Sequence, residues 1–159
     1  MSQVARPDNN EWPDLAGRLT DFGHALGVRV YFEDTDFSGV VYHANYLKWF
    51  ERGRSDFLRL LDIRHDRLLE GEGGRPPAAF VVRRIEIDYR APAHIDEALV
   101  VETRVAELAK AFCWLEQRVV RDGQLLAQAR VQVVLVSLNG RPLRLGDDFS
   151  ALLGRFANC

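Results

Sequence analysis

Across residues 85–138, four strand-like runs follow one another with no helical stretch between them, and one long helical pattern precedes them. Ile85, Ile87 and Tyr89 alternate with charged residues, and Leu99, Val101, Thr103 and Val105 form the next run. Residues 112–120 form a third, followed by the hairpin dipeptide Asp122-Gly123, and residues 125–138 form a long fourth that stops at Asn139-Gly140. Strands this close in sequence pair antiparallel through short turns, whereas a parallel sheet needs a crossover element between its strands. A further strand is predicted over residues 26–32, where Val28, Val30 and Phe32 alternate with Arg29 and Tyr31. The chain is therefore read as α+β, an antiparallel sheet of about five strands wrapped around one long central helix.

That helix is predicted over residues 45–62. Tyr46, Phe50, Phe57 and Leu61 fall near one face, and Leu47, Leu58 and Leu60 widen it. Gly53 lies on the same stripe, where a glycine costs ~1 kcal/mol of helix propensity. The compensation expected is close approach of another backbone, so the helix should lie hard against the sheet. Residues 63–77 read as a loop ending in Gly73-Gly74-Arg75-Pro76-Pro77. A terminal amphipathic helix is suggested by Phe149, Leu152, Leu153 and Phe156, with Asp147 or Asp148 as its cap. Residues 1–25 read as an arm, with Leu15, Leu19 and Phe22 spaced for a short docked helix. Residues 26–159 then form a single domain, a division that 159 residues accommodate.

Composition narrows the function classes. With 47% hydrophobic and 28% charged residues the chain has an ordinary globular balance, and a net charge of −2 argues against generic nucleic-acid binding. Two cysteines, Cys113 and Cys159, are too few for a disulfide framework and are read as free thiols. No stretch reaches ~18 uninterrupted apolar residues, and residues 1–10 lack the basic start and apolar core of a secretory signal. These features point to a cytoplasmic protein.

Chemistry is concentrated in residues 31–54, Y-F-E-D-T-D-F-S-G-V-V-Y-H-A-N-Y-L-K-W-F-E-R-G-R, which gather Glu33, Asp34, Asp36 and His43 between a strand and a helix start. Aspartate and serine before a helix are also ordinary turn formers. Asp34, Asp36, Ser38 and Gly39 match positions 1, 3, 5 and 6 of a calcium-binding EF-hand loop. Position 12 would be Asn45, which cannot give the bidentate carboxylate, and a strand precedes where a helix is needed. No metal is expected. A catalytic reading fits better: Asp36 as base or nucleophile, beside unpaired N–H groups at the helix start that could face a thioester or ester oxygen.

The run E-D-T-D-F-S-G-V-V-Y-H-A-N-Y-L-K-W-F-E-R-G-R resembles the signature of the 4-hydroxybenzoyl-CoA thioesterase family. Its Y-H-A-N-Y and F-E-R elements are most similar to the Tol-Pal system-associated acyl-CoA thioesterase branch. The similarity continues through F-V-V-R-R-I-E-I-D-Y-R-A-P-A and covers roughly residues 27–145. The resemblance implies a hotdog fold, dimers and often tetramers, and hydrolysis of acyl-CoA thioesters without metal or organic cofactor; acyl carrier protein is a possible partner. It implies Asp36 as the catalytic carboxylate and His43 as the residue whose N–H, and in this branch whose side chain, serves the thioester carbonyl. It places Lys110 where related enzymes carry basic residues facing the CoA phosphates. Members of the branch often read Y-Y-E-D-T-D, and here the second tyrosine is Phe32. Some other hotdog thioesterases place a catalytic carboxylate on the central helix. Glu51 stands there, and a pairing with Arg52, Arg54 or a partner subunit is favoured for it because Asp36 already fills the role. Tyr46 and Trp49 are read as core or interface, and Arg83 and Arg84 as sheet-surface charges.

Two other readings compete with thioester hydrolysis. Hotdog hydratases space their aspartate and histidine five apart, whereas His43 follows Asp36 by seven. A non-catalytic acyl-CoA or acyl-carrier-protein binding module would share the fold without the chemistry.

Overall fold

The computed structural model describes residues 15–157. Its core is a sheet with strand order β1-β2-β4-β5-β6-β3, every neighbouring pair antiparallel, and a short β7 added alongside β6. The strands are β1 (Arg18–Thr20), β2 (Gly23–Arg29), β3 (Ala78–Tyr89), β4 (Ala98–Leu108), β5 (Phe112–Arg121), β6 (Gln124–Ser137) and β7 (Pro142–Leu143). The helices are α1 (Asn45–Leu60), α2 (His65–Glu70) and α3 (Asp147–Gly154). The five long strands correspond to those read from the sequence, except that the strand expected over residues 26–32 is shifted to Gly23–Arg29, because the chain turns into a 3-10 helix at Phe32; β1 is a short addition beside β2, and β7 a short addition alongside β6.

Alternation along the middle strands decides which face α1 covers. Leu99, Val101, Thr103 and Val105 of β4, and Cys113, Leu115, Gln117 and Val119 of β5, are buried. Their neighbours form a charged ladder on the opposite face, Arg118 with Glu102 and Arg104 with Glu116. Against the inner face α1 lays Tyr46, Trp49, Phe50 and Phe57, all 3% exposed or less. Burying each such aromatic is worth ~1.5–3 kcal/mol. Gly53 is where the helix comes nearest: a Cβ there would stand 3.0 Å from Thr103 Oγ1 and 3.1 Å from Val101 Cγ1. The contact carries a small polar network. Gln117 Nε2 donates to the Phe50 carbonyl and to Thr103 Oγ1, both at 2.8 Å, and Arg54 Nη1 donates to Gln117 Oε1 at 2.9 Å.

Several local expectations are corrected. The stripe Leu15, Leu19, Phe22 makes no docked helix: residues 18–20 are strand, and the three side chains are 81%, 42% and 64% exposed. What ties this segment down is Asp56 on α1, whose Oδ2 accepts from the Gly17 N–H at 2.8 Å and lies 2.6 Å from Nε2 of the buried His24. Residues 1–14 of the expected arm, and Cys159, lie outside the described residues. Part of the expected 63–77 loop is α2. Strand β3 begins at Ala78, well before Ile85, and is interrupted by a bulge between Val82 and Arg84 that breaks the alternation. Gly146, not Asp147 or Asp148, occupies the N-cap position of α3, and Asp148 instead pairs with Arg75. Cys113 is a free thiol pushed up to about 12, chiefly by burial.

Pairing stops at β3, which joins only β6, and Val81 and Val82 near this open edge are 40% and 44% exposed.

Candidate active site

The loop from β2 to α1 is shaped by its own short polar side chains. Beyond β2, Val30 continues to pair with residues 96 and 97, and residues 32–34 then make a single 3-10 turn. Thr35 Oγ1 donates to the Phe32 carbonyl at 2.8 Å. Residues 35–41 fold back as a small hairpin: Thr35 bridges Val41, and the Asp36 N–H donates to the Val40 carbonyl at 3.0 Å. Gly39 closes it at φ +83°, a left-handed conformation that suits glycine, with its N–H on the Asp36 carbonyl at 3.0 Å.

This hairpin presents the Asp36 carboxylate at the surface. Its Oδ1 accepts the Ser38 N–H at 2.8 Å and also the Ser38 hydroxyl. The hydroxyl bond, then the N–H bond, hold its pKa below the usual carboxylate value, with a further small push from His43 and burial opposing weakly. Asp36 is thus ionised at neutral pH.

The helix start lies against the same loop. The Asp34 carbonyl accepts the Tyr42 N–H at 2.9 Å and Asn45 Nδ2 at 2.8 Å, fixing where α1 begins. Ala44 occupies the N-cap position and offers no side-chain cap. Among the described residues, neither the His43 nor the Ala44 backbone N–H has an acceptor. A helix start with free N–H groups favours negative charge. Tyr89, at the end of β3, donates its hydroxyl to the His43 carbonyl at 2.7 Å and so pins this peptide. The His43 ring lies 4.5 Å from the Tyr42 ring and edge-on to Tyr89 at 6.3 Å. Sequence reasoning missed Tyr89 and Asn45 as positioning residues. Asn45 at the first helical position was a readable signal, but Tyr89 looked like any strand aromatic.

Asp36 and His43 are therefore brought to one place. Phe32 sits in the 3-10 turn of the same loop with its ring 82% exposed. Lys110 is not brought there. It lies in the turn after β4, its carbonyl accepting the Leu145 N–H at 2.9 Å. Asp36 adjoins the opposite end of that strand, on the order of 30 Å away at ~3.3 Å per residue. Glu51 is bonded by the Ser55 hydroxyl at 2.6 Å instead of by an arginine, and Ser55 Oγ is also 3.0 Å from His65 Nε2. Tyr46 and Trp49 are core residues, and Arg84 pairs with Glu86 on the surface. Among the described residues, no cluster of three or more His, Cys, Asp or Glu side chains could hold a metal.

Two concavities lie away from Asp36. One is an open cleft of about 850 Å³ between α2, β7 and α3, rimmed by Arg64, Arg67, Arg75 and Arg144. The other is a pocket of about 130 Å³ between α1 and β3.

Comparison with known proteins gives a consistent set of relatives. The profile of the thioesterase-like superfamily matches residues 30–153. The acyl-CoA thioesterase YbgC of Haemophilus influenzae is 45% identical over 120 residues, which is 76% of this chain and 85% of the relative. The acyl-CoA thioester hydrolase YbgC of Escherichia coli is 39% identical over 110 residues, 69% of this chain and 78% of the relative. Among solved structures, a probable thioesterase from Bartonella henselae superposes with a TM-score of 0.75 at 44% identity, covering 78% of this chain and 99% of that one.

Proposed function

Since the chain belongs to the thioesterase-like superfamily, with the hotdog fold, and hydrolyses acyl-CoA thioesters, we propose that Asp36 is its catalytic carboxylate and the His43–Ala44 backbone its oxyanion site. The observation that carries this reading is the pair of unengaged N–H groups at an uncapped helix start, beside the loop that presents an ionised aspartate. Asp36 takes a proton from water as the water oxygen adds to the thioester carbonyl carbon. The carbonyl oxygen becomes an oxyanion held by the two N–H groups. Collapse re-forms the carbonyl and breaks the C–S bond, and the CoA thiolate takes up the proton from Asp36. In the alternative order Asp36 attacks the carbon itself, and water opens the resulting mixed anhydride. Neither order requires a metal or organic cofactor. A general base contributes ~10²–10⁴-fold and one oxyanion donor ~10²–10³-fold. Thiol release from a panel of acyl-CoAs tests the reading, and a protein that binds these thioesters without releasing thiol would be a binding module instead.

Asp36 is too exposed in one copy to work in a water-poor site, and β3 offers an open edge. We infer a homodimer, or a tetramer built from dimers, formed by antiparallel pairing of β3 with its copy about a two-fold axis. In that arrangement the Tyr89 end of one copy lies near the Ala78 end of the other. The Lys110 turn is at the Ala78 end of the sheet, so Lys110 from the second copy could meet the CoA phosphates of a substrate held at Asp36. Acyl carrier protein is a second possible carrier of the thioester. No helix among the described residues is long and apolar enough to cross a membrane, and a cytoplasmic setting suits a CoA-dependent substrate.

The Ser38 hydroxyl gives a pH test. Because it is the largest cause of the lowered Asp36 pKa, turnover should persist as pH falls toward that value and be lost only on passing through it. Ser38→Ala should move the acid limb of kcat/KM upward, toward the ordinary value of ~3.9, while the neutral plateau changes little. An unmoved limb would show that another group sets it.

His43→Ala keeps both backbone donors. It should therefore cost much less than the ~10²–10³-fold of a removed oxyanion donor. If kcat falls that far, the imidazole itself meets the carbonyl. Phe32→Tyr should then partly restore the rate by returning a hydroxyl to the loop.

A further inference from the structure

The peptide that joins His43 to Ala44 is engaged at its oxygen and free at its nitrogen. Its carbonyl accepts the Tyr89 hydroxyl at 2.7 Å. The helix does not compete for that oxygen. The Leu47 N–H, four residues on, is its regular helical partner, but it goes to the Ala44 carbonyl at 3.2 Å. The N–H of the same peptide, on Ala44, has no acceptor among the described residues. In a trans peptide the C=O and N–H point opposite ways, so a donor on the oxygen does not obstruct the N–H.

The two ends of a peptide are electronically joined. The C–N bond has partial double-bond character, and a hydrogen bond to the oxygen draws charge from the nitrogen and makes the N–H a stronger donor. Here the Tyr89 hydroxyl is itself held by the sheet and the core. Tyr89 ends β3 and is paired with Ala127 of β6. Its ring stands edge-on to Tyr46 at 5.4 Å, and Tyr46, 3% exposed, stands edge-on to Trp49 at 5.2 Å. Burial raises the Tyr89 pKa, so the hydroxyl keeps its proton at neutral pH.

We propose that Tyr89 is a positioning residue for hydrolysis that acts through the His43–Ala44 peptide: its hydroxyl fixes that peptide and strengthens the Ala44 N–H toward the thioester oxyanion. The assignment rests on the oxyanion reading above and adds to it a side chain 46 positions away in sequence. Its size follows from the peptide. Cooperative strengthening of ~10–30% in a bond worth ~10²–10³-fold is ~2–8-fold in rate. The gain arises where the oxygen carries charge, in the transition state, so it falls on kcat and leaves KM nearly unchanged.

The test measures thiol release from an acyl-CoA on the full chain, with folding checked by thermal melting. Tyr89→Phe should lower kcat by ~2–8-fold with little change in KM. Placing 3-fluorotyrosine at position 89 makes the hydroxyl more acidic and a stronger donor, and should raise kcat above the wild-type value. Replacing Ala44 by lactic acid exchanges its N–H for an ester oxygen and should cost the ~10²–10³-fold of a removed oxyanion donor. In that background Tyr89→Phe should cost nothing further, because the group it acts through is gone. An unchanged kcat in Tyr89→Phe overturns the proposal. So does a fluorinated enzyme no faster than wild type, or a Tyr89→Phe loss that persists in full in the ester background. Any of these, with the ester itself slow, would leave the oxyanion reading standing. An ester enzyme as fast as wild type would remove that reading and this proposal with it. The fluorinated enzyme keeps every heavy atom of the tyrosine, so it decides the matter even where the other variants do not fold.

Discussion

Asp36→Asn is expected to lower kcat by ~10²–10⁴-fold with little change in melting temperature. Asparagine keeps the shape of the side chain, and its carbonyl oxygen can still accept the Ser38 N–H that now bonds Oδ1 at 2.8 Å. The hairpin of residues 35–41 is closed by backbone bonds that the change does not touch. What is lost is the negative charge, and with it both the proton acceptor and the nucleophile. Asp34→Asn is the control. The Asp34 carboxylate accepts the Tyr31 N–H at 2.8 Å, a structural bond, while its backbone carbonyl holds the helix start. Thiol release together with thermal melting separates the two. If Asp36→Asn turned over at the wild-type rate, the carboxylate that drives hydrolysis would lie elsewhere, with Glu51 the next to test.

Gly53→Val is expected to destabilise the fold by ~3 kcal/mol or more. Even a methyl group at this position would stand 3.0 Å from Thr103 Oγ1, 3.1 Å from Val101 Cγ1 and 3.2 Å from Gln117 Nε2. A branched side chain must push the helix off the sheet or break the two 2.8 Å bonds of Gln117 Nε2. The gain in helix propensity over glycine, under ~1 kcal/mol, does not offset this. At ~2–4 °C per kcal/mol for a domain of this size, melting should fall by roughly 10 °C. Gly53→Ala should show a smaller loss of the same sign. An unchanged melting temperature in Gly53→Val would mean that the helix stands further from the sheet than described.

The glycine also shows what was readable before any coordinates. A residue that weakens the helix on its buried stripe announces a close contact, and α1 does run from Asn45 with Gly53 on β4 and β5. The long strands were legible because one face is apolar and the other charged. Where that rule lapses, so did the reading. Val81 and Val82 are adjacent valines at an open edge beside a bulge, and their lack of alternation hid the first half of β3. Leu15, Leu19 and Phe22 have helical spacing but bury little, so the spacing carried no energy. The site divides in the same way. Asp36 and His43 lie seven residues apart on one loop, and local sequence brings them together. Lys110 depends on which end of a long strand its turn occupies, and spacing is silent about that.

The short strand β1 has a consequence for growth. A sheet with two open edges is a bifunctional monomer: each copy added leaves another edge to extend, and the product is a fibre. Here the first three residues of β2 are already taken by residues 18–20, a ledge that leaves only the short run 26–29 to a newcomer, held through Gly17 and His24 to Asp56 on the central helix. Among the described residues that leaves β3 as the one long reactive end. A monofunctional unit of this kind couples once and then terminates, so three residues near the start of the chain set an upper limit on how far its sheet can propagate.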